Sequence, residues 1–201
     1  MKNIFLIILL IAITFISCSE KQTFKEIKIK ENNLKQTSIM GYGVGESVRN
    51  TIAIDKAKLY ARMNLANQVS GMQFVYQKNN GSTVFKTTTN AVLSNVHEEL
   101  SYCLKDGDKK KYLCVLSTPV EKQDIELDNA VLLETNFRTA DLDKSLTEKY
   151  KIAVKEIAEK KYSEKMGIEG ELYLSDIKVL DYEGKDDFNV EIKILMIITK
   201  K

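Results

Sequence analysis

Few side chains in this chain of 201 residues are equipped for acid–base or covalent chemistry: one histidine, His97, and three cysteines, Cys18, Cys103 and Cys114. A catalytic centre needs a nucleophile beside a base, a metal cluster, or carboxylates converging in a pocket. His97 has no Cys, Asp or Ser constellation that periodicity would bring to it, and its six-residue offset from Cys103 completes no recognised zinc site. Asp106, Asp108, Asp186 and Asp187 fall where hairpin turns are expected, and turn chemistry accounts for them. The run GYGVGES at 41–47 is not a phosphate loop. Its glycines at 41, 43 and 45 break the dinucleotide spacing, and no Lys-Ser or Lys-Thr follows. No enzymatic activity, metal site or cofactor is therefore expected. With 30 basic against 28 acidic residues, the chain also lacks the charge footprint of a nucleic-acid binder.

The chemistry that remains belongs to Cys18. Lys2 supplies a positive start, and residues 4–16 form an apolar run broken only by Thr14. That run is shorter than the roughly 20 residues a mature spanning helix needs, and has the length of a signal-peptide core. Ser17-Cys18 resembles the bacterial lipobox, in which the cysteine is acylated and becomes the mature N-terminus. Phe15 departs from the commonest residue there, leucine. The alternative is an ordinary secretory signal, or an uncleaved anchor, that happens to contain Cys18. The lipobox resemblance implies a lipoprotein signal peptide at 1–17 and membrane attachment through acyl chains, palmitate among them, on Cys18. It places the protein in the bacterial cell envelope. Ser19 is not the aspartate that retains enterobacterial lipoproteins at the inner membrane, so the outer membrane, on its periplasmic face or surface, is expected. Residues 18–38 read as a lysine-rich tether, with one weak edge strand around Phe24, Ile27 and Ile29.

The elements that organise the rest lie at 40–71. Alternating glycines in a strand let another backbone approach one face closely. Ser47 is a competent N-cap for a helix over 48–69, about 33 Å long. That helix has two apolar stripes. Ala53, Ile54, Ala57, Ala61 and Leu65 make a small-residue face suited to lying on a sheet. Val48, Ile52, Leu59, Met63 and Ala66 make a second face, a candidate interaction surface that needs its own cover. A later helix of this chain or a neighbouring subunit could supply it.

Gly41, Gly43, Ala53, Ala57, Ala61, Arg62, Leu65 and Ala66 together resemble the Lpp-twenty lipoprotein family and the related N-terminal domain of the flagellar assembly protein FlgT. The likeness covers 39–118, including the strand KYLCVL at 111–116; Asn64 stands where the family usually has Glu or Gln. It implies an envelope lipoprotein of α+β fold, structural and without known catalysis. Some relatives sit in the periplasm around flagellar motors.

Further along, strands are expected at 72–77 and 83–89, the second Thr-rich and readable as helix, joined by Asn80-Gly81. A second hairpin, 96–104 with 111–118, carries Cys103 and Cys114. In the register that sets Leu104 opposite Leu113 the two cysteines face one another and can bridge; the alternative is two free thiols. Thr118-Pro119-Val120-Glu121 has the form of a capping box and predicts a helix with Ile125, Leu127, Val131, Leu132 and Leu133 on its apolar side, then a break at 137–143. A third helix over 146–166, ended by Gly167, is amphipathic and is the natural cover for the second stripe of the central helix. The chain closes with a hairpin, 171–182 and 188–199, buried on both faces near Leu195 and Ile197.

The expected whole is α+β: a mostly antiparallel sheet, a long central helix packed on it, a further C-terminal helix and a β-hairpin. Residues 39–118 would form the Lpp-twenty-like part, and 119–201 would pack on the same core. Self-association or an envelope protein partner is expected, besides the membrane. The competing expectation is a lipoprotein that captures a small apolar or cell-wall ligand in a pocket between the sheet and the helix bearing Leu146.

Overall fold

The computed structural model describes residues 24–29, 38–69, 71–86, 93, 95–105, 107–119, 127–162, 167–182 and 188–200. Cys18, the signal segment, Asp106, Asp186 and Asp187 lie outside them. The fold is α+β, with two α-helices and nine strands in antiparallel sheets among the described residues. The strands are β1 (Lys25–Ile27), β2 (Ser38–Ser47), β3 (Met72–Gln77), β4 (Ser82–Lys86), β5 (His97–Lys105), β6 (Lys110–Pro119), β7 (Ala130–Thr139), β8 (Gly167–Tyr182) and β9 (Phe188–Lys200). The helices are α1 (Asn50–Val69) and α2 (Leu142–Lys161).

Two sheets share the strands. Six lie in the order β1-β7-β9-β8-β3-β4, and three in the order β2-β6-β5. Because β3 pairs with β8, the larger sheet draws on both halves of the chain. Its centre is the closing hairpin, in which Val190, Ile192, Ile194, Met196 and Ile198 alternate onto one buried face. Leu195 and Ile197 alternate onto the other face, with Tyr173, so this strand is apolar on both sides. α2 lays Leu142, Leu146, Tyr150, Ala153, Val154 and Ile157 on the first face. α1 covers the smaller sheet, and its Ala57, Ala61 and Leu65 join the cluster on the second face. The opposite side of the smaller sheet, with Tyr42, Leu113 and Val115, belongs to the cluster that holds α2.

Several expectations are corrected. The capping box does not start a helix. Thr118 and Pro119 end β6, paired with Ile39 and Ser38, and 120–126 lie outside the described residues. Leu127–Asn129 is a single 3-10 turn, and Val131, Leu132 and Leu133 belong to β7. Val131, Leu133 and Phe137 alternate inward with a period of two, and ten residues of ladder with β9 outweigh a local capping signal. No break occupies 137–143. β7 runs to Thr139, and Asp141 caps α2 by accepting the Lys144 N–H at 3.1 Å. α2 therefore starts four residues before the expected position and ends at Lys161, while Gly167 opens β8 instead of closing a helix. Ser82–Lys86 is strand, and 87–89 fall outside the described residues.

Candidate interaction surface on the central helix

The glycines of β2 and the alanines of α1 form one joint. Gly41, Gly43 and Gly45 point to the same face of β2, at strand spacing. A Cβ on Gly41 would stand 2.3 Å from the Leu65 nitrogen, on Gly43 2.2 Å from the Ala57 oxygen, and on Gly45 2.0 Å from the Ala53 oxygen. The helix backbone therefore rests directly on the strand backbone, with Ala53, Ala57, Ala61 and Leu65 all at most 1% exposed. Ser47 is the last residue of β2 and not the expected N-cap; its side chain accepts the Arg49 N–H at 3.3 Å, just ahead of α1. At the other end Gly71 adopts φ +74°, a left-handed stop that side chains other than glycine resist.

Polar groups complete the seat. The Asn64 side chain accepts the Tyr42 N–H at 3.3 Å, and the Tyr42 hydroxyl donates to Asp143 of α2 at 2.5 Å. Burial, then this carboxylate, raises the Tyr42 phenol far above its ordinary range. Buried Gln68 accepts the Leu174 N–H at 3.2 Å, tying the end of α1 to β8. Buried Tyr150 has a phenol raised by desolvation, against which the neighbouring Gln68 side chain works in the opposite sense.

The second stripe of α1 is uncovered. Ile52 is 38% exposed, Leu59 55% and Met63 57%, while Ala66 is half-buried; Val48, 69% exposed, precedes α1, which starts at Asn50 and not at the expected 48. α2 does not cover this stripe, contrary to expectation. Its own bulky stripe is taken up by the face of the larger sheet that carries Ile192 and Ile194. Tyr60, which sequence reasoning left out, adds an aromatic ring at 47% exposure; its place in the sequence between Leu59 and Met63 was the available signal. Arg49, Lys56 and Arg62 flank these residues, and Lys58 pairs with Glu98 at 2.9 Å. Beside the helix, an open groove of about 330 Å³ is lined by Tyr42, Val44, Tyr60, Met63, Asn67 and Asp143.

The sequence-predicted thiol pair does not form a disulfide. β5 is paired two residues away from the expected register, so Cys103 faces Tyr112 and Cys114 faces Ser101. One residue of that slide is set at the turn, where Lys105 pairs with Lys111, and the other by the bulge at Cys103/Lys105. Neither cysteine is in a disulfide; Cys103 is exposed and Cys114 buried under α1. Burial pushes the Cys114 thiol up to about 11. His97 lies exposed at the start of β5, and Asp108 is exposed in the turn after it. Among the described residues no three His, Cys, Asp or Glu side chains gather as a metal would require. The hollow between α2 and the sheet, lined by Tyr76, Ala158, Tyr162 and Ile168, holds about 80 Å³. Pockets for drug-sized ligands are about 300–1,000 Å³. Among the described residues no helix is long and apolar enough to cross a membrane.

No protein-family model, curated protein or solved structure matches the chain.

Proposed function

We propose that this chain is a lipid-anchored lipoprotein of the bacterial envelope, non-catalytic, whose α1 outer face docks onto a protein partner. The observation that carries the assembly role is the uncovered stripe of Ile52, Leu59, Tyr60 and Met63 on a helix otherwise seated on its sheet, extended by Val48 just before it. Fully burying a wholly exposed side chain of this size yields about 1.5–3 kcal/mol; these are 38–69% exposed, so covering each yields roughly half of that, and the five together still favour association. Arg49, Lys56 and Arg62 around the stripe suit a partner with an apolar centre and acidic rim better than a second copy of the same face.

The anchor rests on Ser17-Cys18 after an apolar run of signal length. The Gly-x-Gly strand and Ala-rich helix support kinship with the Lpp-twenty lipoproteins, and with it an outer-membrane or flagellum-associated setting. Ligand capture is the weaker reading, because the space between α2 and the sheet is too small for it.

Two measurements test the proposal. Palmitate labelling should be lost in Cys18→Ala; unchanged labelling would remove the anchor. Sedimentation of the chain alone and with envelope extract should show a complex that Met63→Lys abolishes. A monomer in both conditions would remove the assembly role.

A further inference from the structure

The polar stretch between Cys18 and β2 is not a free tether along its length. β1 pairs with β7, setting Lys25 opposite Glu134, Glu26 opposite Leu133 and Ile27 opposite Leu132. Side chains fasten both faces of this short strand. On one face, the Phe24 N–H donates to Glu156 at 3.4 Å, and Glu26 takes Lys160 at 3.2 Å and Lys161 more closely still. Lys161, then Lys160, hold the Glu26 carboxyl below its ordinary range. On the other face, Lys25 meets Glu134 at 3.3 Å and Ile29 packs beside Leu132.

This fastening changes the reach of the anchor. From Cys18 to Phe24 is six residues, which fully extended span about 20 Å. From Cys18 to Ser38 would be 20 residues, about 70 Å at full extension. The long leash would leave the domain free to turn in any direction; the short one does not. In the larger sheet β1 and β4 are opposite edges, five strand spacings or about 24 Å apart.

We propose that the rim formed by β1 and the C-terminal turns of α2 is the membrane-facing side of the domain, held against the lipid headgroup layer, with the β4 edge turned away. The inference rests on acylation of Cys18. On this rim Lys25 pairs with Glu134 and Lys160 and Lys161 pair with Glu26, so its charge is close to balanced and the short leash, not charge, sets the orientation. β1 is the stitch that sets the orientation.

The test uses the full lipidated chain in vesicles of phosphatidylethanolamine and phosphatidylglycerol carrying a headgroup energy acceptor. With Cys103→Ser removing the exposed thiol, a donor dye goes on Lys28→Cys, exposed just after β1, or on Val84→Cys at the β4 edge. Transfer from position 28 should exceed that from 84. Glu26→Lys, which sets like charge against Lys160 and Lys161, should abolish the difference, and adding Lys160→Glu with Lys161→Glu should restore it. Equal transfer from both positions, in protein that floats with the vesicles, would overturn the orientation while leaving the anchor intact. Vesicle binding that persists in Cys18→Ser, or that never occurs, would overturn the anchor and the orientation with it.

Discussion

The backbone nitrogen of Leu65 lies 2.3 Å from the place a Cβ on Gly41 would occupy. Between them there is no room for any side chain on the strand. The same holds at Gly43 against Ala57 and at Gly45 against Ala53. The long helix and its strand are thus set by backbone contact along three steps of the pleat, leaving the outer helix face without any part in the seat.

Gly43→Ala should cost about 2–3 kcal/mol, because neither the Ala57 carbonyl nor the Ala61 nitrogen can move without the helix moving. Gly107→Ala, where nothing lies within 4 Å of an added Cβ, is the matched control and should stay within about 0.5 kcal/mol. Urea unfolding midpoints compare the two. Equal, small effects would mean that the helix does not rest on the strand backbone.

The two cysteines should behave differently. In a Cys18→Ala background, one thiol reacts rapidly with a maleimide at neutral pH and the other only on unfolding. Cys103 is the exposed one; Cys114 is buried, with its thiol raised to about 11. Peptide mapping of the labelled protein checks the assignment, and reductant should leave the melting temperature unchanged.

Alkaline pH should weaken the fold through its buried phenols. Burial raises Tyr42, Tyr150 and Tyr173 above the ordinary value of 10.0. A group whose pKa is higher folded than unfolded contributes stability that is whole below its unfolded pKa and is lost as pH rises above it. Denaturant midpoints should therefore hold up to about pH 10 and fall beyond it, and Tyr42→Phe should make that fall shallower. Flat stability through this window would contradict the burial of these phenols.

Lys149 works in the opposite sense. It is 7% exposed, its ammonium stands 5.1 Å from the centre of the Phe137 ring, and desolvation lowers its pKa from 10.5. Its folded form pays for a buried charge at neutral pH, and that cost fades as pH rises through the lowered pKa toward 10.5. Lys149→Met should be neutral or stabilising by up to about 1 kcal/mol at pH 7. A clear loss of stability would show that the cation–ring contact outweighs desolvation.

Much of this was legible in the residues. Glycines two apart and alanines four apart each have one geometric use, and the alternation of Val190, Ile192 and Ile194 can only be a half-buried strand. Phe24, Ile27 and Ile29 were enough to mark β1. What was illegible depends on partners distant in sequence. Thr118-Pro119 carries a local helix signal that the ladder to Ser38 and Ile39 overrides. The cysteine register turns on bulges that no single strand announces. The Tyr42–Asp143 bond joins residues 101 apart, so no local pattern contains it. The second stripe was visible as apolar, but whether α2 would cover it depended on which sheet face α2 chose.

The most direct test is a photocrosslinking residue at Leu59, 55% exposed, in full-length protein expressed in its own cells. Docking through the outer face of α1 should yield one discrete adduct with an envelope protein, absent when the residue is placed at Lys155 and lost on Met63→Lys. No adduct from position 59 in folded, membrane-attached protein would contradict the assembly role.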